Sequence, residues 1–436
     1  MTLNLTNFFG LLGGLLVLAF AAHRLSRWTR VPDVLVLLAT GILLGPVLHW
    51  FDAARFAEVT RVFGTLALIL ILFSAGLELD LRRALRQFAA GLVLATLSYG
   101  LSFAGITYFC VYALGMQKMP SMLAAATLAC MSGSIVLPVL EQLDLRHDFK
   151  TTLVIETSFG DGLGALAVGV LVDLASGGGG TTNGLLASIL KRAGLVPGSG
   201  ESIASGVAML FVFKLLLALV IAVVAGFLWV RLLPAVSDKK FWQALTFAAV
   251  LLLYSGTHAL GGSELFAVMA FGATLANLPN PRNSMEEFGF EILAPDASHE
   301  IHSFHSELAF LVRSFFFVLL GAMIEFGGLR KVFVPSLGVL GVCIVARAIA
   351  VECSRVVWRG TTQREREFAI LLIPRGLITA VLALEVIRAM PVELVFLTSL
   401  VFAVILMTNM FVLLAMFRAK GLSAEGSAAP AATDAS

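Results

Sequence analysis

Apolar residues run along this chain in long unbroken stretches, neither alternating nor confined to one stripe of a helix. Thirteen such runs can be read, at roughly 8–26, 33–50, 59–79, 88–114, 120–140, 151–175, 203–230, 241–260, 262–278, 305–326, 332–354, 365–390 and 393–417. A bilayer core selects apolar helices of about 20 residues. Continuous runs also exclude a β-barrel, whose strands alternate between lipid and lumen. The pattern predicts an all-α polytopic membrane protein of about 13 transmembrane helices over residues 8–417. Two long breaks interrupt it. Residues 177–202, opening on Gly177 to Gly180, read as a flexible loop, and residues 279–304, with Pro279, Pro281 and Pro295, read as a polar connection. The tail at 421–436 is rich in Ala, Ser, Gly and Pro and is expected to be disordered.

Composition agrees with the pattern. Of 436 residues, 59% are hydrophobic and 13% charged, with mean hydropathy +0.95. A soluble domain carries about 25% charged residues, so an ordinary soluble enzyme is excluded. The net charge of +2 comes without a basic cluster, so no nucleic-acid partner is expected. Cys110, Cys130, Cys343 and Cys353 all fall in apolar runs and are expected to be free, buried thiols. The first residues lack a basic segment, and no cleaved signal peptide is expected.

Charge placement orients the chain. Loops after odd-numbered runs hold eighteen Lys and Arg residues, against eight in the loops of the other side. Basic loops stay cytoplasmic. The expected topology therefore has the N-terminus outside and the C-terminus in the cytoplasm, in a cell membrane, expected to be the bacterial inner membrane. Trp28, Trp50, Trp229, Trp242 and Trp358 all fall at run ends, as an aromatic belt requires.

Two runs contain helix breakers. Run 5 holds Ser132, Gly133, Ser134 and Pro138, and run 12 holds Pro374, Arg375 and Gly376. Breaks at membrane depth free backbone groups that hydrocarbon cannot satisfy, so they occur where backbone lines a buried or wet cavity. The two lie seven runs apart. Because seven is odd, runs 1–6 (about 8–175) and 8–13 (about 241–417) would be inverted repeats of six helices, joined by a linker helix at about 203–230. Paired broken helices in inverted halves point to a transporter site. A weak echo accompanies this: Gly76-Leu77-Glu78 near the end of run 3 and Gly321-Ala322-Met323-Ile324-Glu325 near the end of run 10.

Charge inside the membrane is costly and marks function. In run 6, Thr157 and Ser158 lie four and three positions before Asp161, so the three share one helical stripe. They make a plausible oxygen site for a small hard cation. Glu156 points about 140° away from Asp161 and needs a partner of its own, for which Arg375 in broken run 12 is the expected candidate. Arg375 could also balance the negative ends of the half-helices. Burial favours the neutral acid and a bound cation favours the carboxylate, so proton and cation would compete for Asp161.

Several segments resemble the monovalent cation:proton antiporters of the Na+/H+ exchanger superfamily. They are Glu156 to Gly162, Arg313-Ser314-Phe315-Phe316-Phe317, Pro374-Arg375-Gly376-Leu377, Gly41-Ile42-Leu43-Leu44-Gly45-Pro46 and Gly76-Leu77-Glu78-Leu79. The resemblance implies a homodimer with a dimerisation domain and a mobile core domain moving like an elevator. It also implies that Asp161 carries cation or proton, that Glu156 pairs with Arg375, that Thr157 helps coordinate the ion, and that Ser132 holds the hydroxyl position of the crossing helix. The expected activity is exchange of Na+ or K+ for H+, with membrane lipid as the other partner and no cofactor. Two features depart from the family. Gly160 replaces the Asn or Asp that precedes the key carboxylate, and Met131-Ser132-Gly133 replaces a Thr-Asp-Pro or Thr-Ser-Pro break. A single carboxylate at the site implies electroneutral one-for-one exchange. With no nucleotide-binding domain after the last run, a glutathione-gated potassium-efflux protein is not expected.

Other readings compete with this one. A cation channel or a non-transporting membrane sensor could be built on the same fold. An intramembrane hydrolase would need a Gly-x-Ser-x-Gly elbow, an HExxH helix or facing aspartates, and none is present. His299, His302 and His305 sit three apart and could form a metal or pH-sensing cluster. The plainer reading is a solvated amphipathic segment leading into run 10. Arg313 and Arg347 are expected to be salt-bridge members, with partners that spacing alone does not name, and Lys214 to snorkel or pair.

Overall fold

The computed structural model describes residues 33–48, 53–79, 81–143, 145–175, 203–232, 241–277, 295–324, 326–358, 360–390, 394 and 396–426, with parts of 10–25 near the N-terminus. Among these residues there are helices and turns but no strand. Residues 16–22 are helical within the first apolar run. The second run forms α1 (Asp33–Ile42) and a π-helical turn (Leu43–Val47), closed by the Leu48 N–H donating to the Leu43 carbonyl at 2.9 Å. Then follow α2 (Ala53–Glu78), α3 (Leu81–Tyr112), α4 (Lys118–Leu128), α5 (Gly133–Glu141), α6 (His147–Ala175), α7 (Ile203–Leu232) and α8 (Trp242–Ala259). The rest are α9 (Glu264–Asn277), α10 (Pro295–Ala322), α11 (Phe326–Ser354), α12 (Gln363–Leu371), α13 (Leu377–Ala389) and α14 (Leu397–Gly426). Among the described residues, six stretches are long and apolar enough to cross a membrane: Gln87–Tyr112, Lys118–Leu140, His147–Ala175, Phe211–Leu232, Gly327–Ser354 and Leu397–Met416.

The helices pack as two groups. In one, α2 lies against α9 and α10, and α1 lies against α10. In the other, α3 packs on α6 and α11, α11 packs on α14, and α4 packs on α13. Helix α7 rests on α9 and touches α6. Glycine sets the spacing of the first group. A Cβ at Gly41 would collide with the Val318 carbonyl of α10, and one at Gly321 with the Leu38 carbonyl of α1. Likewise a Cβ at Gly76 would collide with the Met269 carbonyl of α9, and one at Gly272 with the Phe73 carbonyl of α2. Backbone meets backbone at both crossings, the close approach that small residues permit between membrane helices.

Three expectations are corrected. Helix α10 begins at Pro295, well before the predicted start of run 10. Proline suits a first helical turn, where its missing N–H is not needed. Helix α14 continues to Gly426, into the tail expected to be disordered, because Ala, Lys and Leu are good helix formers. Cys353 is exposed rather than buried, whereas Cys110, Cys130 and Cys343 are buried. The loop at 177–202, Pro279, Pro281 and the tail after Gly426 lie outside the described residues.

The glycine crossings can be tested directly. Gly76→Val should lower the thermal unfolding midpoint in detergent, at a cost of about 1–3 kcal/mol for overpacking. Gly256→Ala in α8, where a Cβ would meet nothing within 4 Å, should keep the wild-type midpoint.

Candidate functional site

Two interrupted helices meet inside the second group. The first break separates α4 from α5 and the second separates α12 from α13. They touch through backbone: the Ser132 N–H donates to the Pro374 carbonyl at 2.9 Å. Glycine is required here too, since a Cβ at Gly376 would stand 2.5 Å from Ser132 Oγ and 2.7 Å from Ile135 Cδ1.

Side chains answer four of the carbonyls near the two breaks. At the end of α4, Arg375 Nε donates to the Leu128 carbonyl at 2.7 Å, Tyr99 Oη to the Ala126 carbonyl at 3.1 Å, and Thr379 Oγ1 to the Cys130 carbonyl at 3.4 Å. At the end of α12, Arg347 Nε donates to the Ala369 carbonyl at 2.8 Å. Helix α14 supports the second break from behind. Asn409 Nδ2 donates to the Arg375 carbonyl at 2.9 Å, and the Arg375 N–H donates to Thr408 Oγ1 at 3.1 Å. The first half of each interrupted helix thus ends on an arginine, a side chain that complements a negative helix end.

The first break lies ahead of Gly133, which opens α5, so Ser134 and Pro138 belong to the helix rather than to the interruption. Pro138 has no N–H to offer the Ser134 carbonyl one turn earlier. Arg313 Nη1 from α10 donates to that carbonyl instead, at 3.0 Å. Arg313, expected as a salt-bridge member, therefore serves a proline-freed carbonyl. Ser132 and Ser134 hydroxyls bond each other at 2.9 Å.

Asp161 faces the first break from α6. Its Oδ2 accepts from the Gly133 N–H at 3.3 Å, at the positive end of α5. Its Oδ1 is buried without a hydrogen-bond partner among the described residues. Asp161 Oδ2 and Thr157 Oγ1 converge on one point, the position a Cβ of residue 133 would take, at 3.3 and 3.4 Å. Thr157 gives its own proton to the Val154 carbonyl at 3.1 Å, which leaves the hydroxyl oxygen free to accept. Ser158 is buried on the same helix, but the nearest atoms to that point are those of Asp161 and Thr157. Gly160 is buried, yet a Cβ there would meet nothing within 4 Å.

The expected pairing of Glu156 with Arg375 is corrected. Glu156 makes a bidentate pair with Arg347 of α11: Nη1 reaches Oε1, and Nη2 reaches Oε2 at 3.0 Å. Arg347 Nη1 also donates to Ser98 Oγ at 2.7 Å. The reason is geometric. Glu156 points away from the stripe of Asp161, toward α11, while Arg375 is held by the Leu128 carbonyl and Cys343 Sγ at 3.4 Å. Thr408 and Asn409 were missed in the sequence, where adjacent polar residues deep in the last apolar run were the available signal.

Lys214 of α7 bonds Asp173 of α6 at 2.5 Å, a buried ion pair rather than a snorkelling lysine. His305 is fully buried, with ring centroids 4.9 Å from Phe73 and 6.2 Å from Phe247. The reading of a solvated segment fails at that residue, because helical spacing turns it onto α2 and α8. The side chains of His299 and His302 lie outside those described.

Crossed, interrupted helices around a buried carboxylate define a class, the polytopic membrane transporters whose site is built from discontinuous helices. Comparison with known proteins narrows this. Residues 14–417 match the family described as sodium/hydrogen exchanger, transmembrane, and the chain belongs to that family. It is 25% identical over 388 residues to Na(+)/H(+) antiporter 1 of Methanocaldococcus jannaschii, covering 86% of this chain and 82% of that protein. It is 24% identical over 376 residues to the K(+)/H(+) antiporter NhaP of Alkalimonas amylolytica, covering 86% of this chain and 59% of that longer relative. The fold is that of the sodium proton antiporter MjNhaP1 from M. jannaschii, solved at pH 8, with TM-score 0.76 at 20% identity over 96% of this chain and 99% of that one. These relatives are transporters, and this chain is an integral membrane protein of their family rather than an enzyme.

The corrected ion pair carries its own prediction. Arg347→Met should strand a buried carboxylate and cost about 3–5 kcal/mol. The double variant Glu156→Gln with Arg347→Met should recover part of that loss. Both are read by thermal unfolding in detergent. Equal stability of the single variant and wild type would show the pair to be dispensable.

Proposed function

We propose that the protein is a secondary active antiporter that exchanges Na+ or K+ for H+ by alternating access, with Asp161 as the shared cation and proton site. The observation that carries this reading is the Asp161 carboxylate itself. It is buried at the start of half-helix α5, its Oδ1 has no hydrogen-bond partner among the described residues, and Thr157 Oγ1 is turned to the same point as its Oδ2. Neutralising it with a proton or pairing it with a cation answers the same electrostatic need, so the two compete for one place. Ser132, Ser158 and waters would complete the oxygen shell around the ion.

Arg375 and Arg347 are occupied with half-helix carbonyls and with Glu156, which leaves one carboxylate to titrate at this point. Gly160 adds none. One-for-one, electroneutral exchange follows. The names of the relatives support both Na+ and K+ as substrates.

The glycine contacts favour thirteen crossings in two inverted repeats. If run 2 is exchanged with run 9 and run 3 with run 10, the Gly41–Gly321 contact maps onto the Gly272–Gly76 contact. In this scheme α1, α2, α8, α9 and α10 belong to the dimerisation domain of a homodimer. Helices α3–α6 and α11–α14 form the moving core, and α7 links the two. The N-terminus lies outside and the C-terminus in the cytoplasm of a bacterial inner membrane.

The test is pH-jump fluorescence in proteoliposomes with Na+, Li+ and K+ in turn. Wild type should show saturable, cation-dependent proton flux without current. Asp161→Asn should abolish it while eluting as a folded protein, and Thr157→Ala should raise the cation concentration for half-maximal flux. Full flux in Asp161→Asn would remove Asp161 from the carrier role. Current without proton coupling would indicate a channel.

A further inference from the structure

An apolar groove lies away from the broken helices, between α3 and α11. Its volume is about 650 Å³. Small residues open it: Gly105 of α3, and Gly338 and Gly341 of α11. Gly105 admits Val342 and Gly338 admits the Phe109 ring, whereas a Cβ at Gly341 would meet nothing within 4 Å. These contacts make the two helices antiparallel, with the Tyr112 end of α3 beside the start of α11. Both helices are long and apolar enough to span a membrane, and Tyr108, Leu337, Val345 and Ile349 of the lining are exposed, so a bilayer would meet the open side of the groove with hydrocarbon.

We propose that this groove holds one acyl chain of an anionic phospholipid. Its length fits a single leaflet. From Leu337 to Ile349 the lining runs about 18 Å at 1.5 Å per residue, against about 15 Å for half of a typical hydrocarbon core. Its charge fits an anionic head. Lys331 is exposed one heptad before Gly338, hence on the same face of α11, with exposed Arg330 beside it. Exposed Lys118 opens α4 at the same end, a short loop after Tyr112. Neither α3, α11 nor the residues between Tyr112 and Lys118 place a carboxylate there, Glu352 lies at the opposite end of α11, and Glu325, just before α11, lies outside the described residues. The Tyr108 and Tyr112 rings, 4.5 Å apart, stand at the lip, where amphipathic rings favour the membrane interface.

A second copy of this chain would bring a second set of the same cations to the groove. A lone amphiphile with an apolar tail and a negative head meets both halves of the site.

Native mass spectrometry of the purified full-length protein, delipidated and then given phosphatidylglycerol or phosphatidylcholine at equal mole fraction, tests the idea. Wild type should retain phosphatidylglycerol preferentially. Each of Arg330→Gln and Lys331→Gln should cut that preference by about fivefold, the effect of about 1 kcal/mol per cation. Gly341→Phe, which fills open space without displacing backbone, should abolish retention of either lipid while the size-exclusion profile and cation-dependent flux persist. Equal retention of the two lipids by wild type would overturn the proposal, as would undiminished retention by Gly341→Phe. A change of oligomeric mass in Gly341→Phe with no lipid lost would give the groove to a second copy instead.

Discussion

The Ser132 N–H to Pro374 carbonyl bond joins two interrupted helices at the point where each has abandoned its own backbone hydrogen bonds. Hydrocarbon supplies no partner for a freed carbonyl, so the crossing exists only because other elements supply donors. Arg375 reaches across to the end of α4, Arg347 closes the end of α12, Tyr99 and Thr379 take two more carbonyls, and Asn409 props the second break. Charge in this core therefore serves backbone first. The guanidinium groups are expensive to bury, and each is offset by carbonyl oxygens or a carboxylate.

That division of labour isolates Asp161. Of the two carboxylates in Ile155 to Asp161, Glu156 is neutralised by Arg347 on the far side of α6. Among the described residues, Asp161 meets a helix start through a single long hydrogen bond and keeps an oxygen open. A helix N-terminus stabilises negative charge without consuming it, unlike a bidentate arginine. On the proposed reading, this leaves the carboxylate held in place yet free to exchange one positive partner for another.

Much of this was legible along the chain because bilayer constraints are local. Run length, breakers and basic loops are each decided by a short segment and its solvent, and from residue 33 onward every apolar run carries helix. The stripe of Thr157 and Asp161 follows from helical spacing alone. The same arithmetic turned Glu156 to another face, correctly, but did not say which helix waits there. Arg375 was the nearer candidate because it sits in a broken helix. The structure gives Glu156 to Arg347, from an unbroken helix whose single buried guanidinium has no local signature. Pro138 was read as part of the break, though a proline in the first turns of a short helix breaks little once Arg313 answers the Ser134 carbonyl.

By itself the sequence determined the class: a helical membrane protein with two interrupted runs, a buried acid in run 6 and a scarcity of charge that made each exception informative. Only the tertiary structure decided which charges meet. Pairing between helices depends on rotation and crossing angle, which glycine contacts such as Gly41 on α10 and Gly76 on α9 fix at a distance in the chain. It also revealed the groove between α3 and α11, since an opening made by absent side chains on two remote helices leaves no pattern along either one.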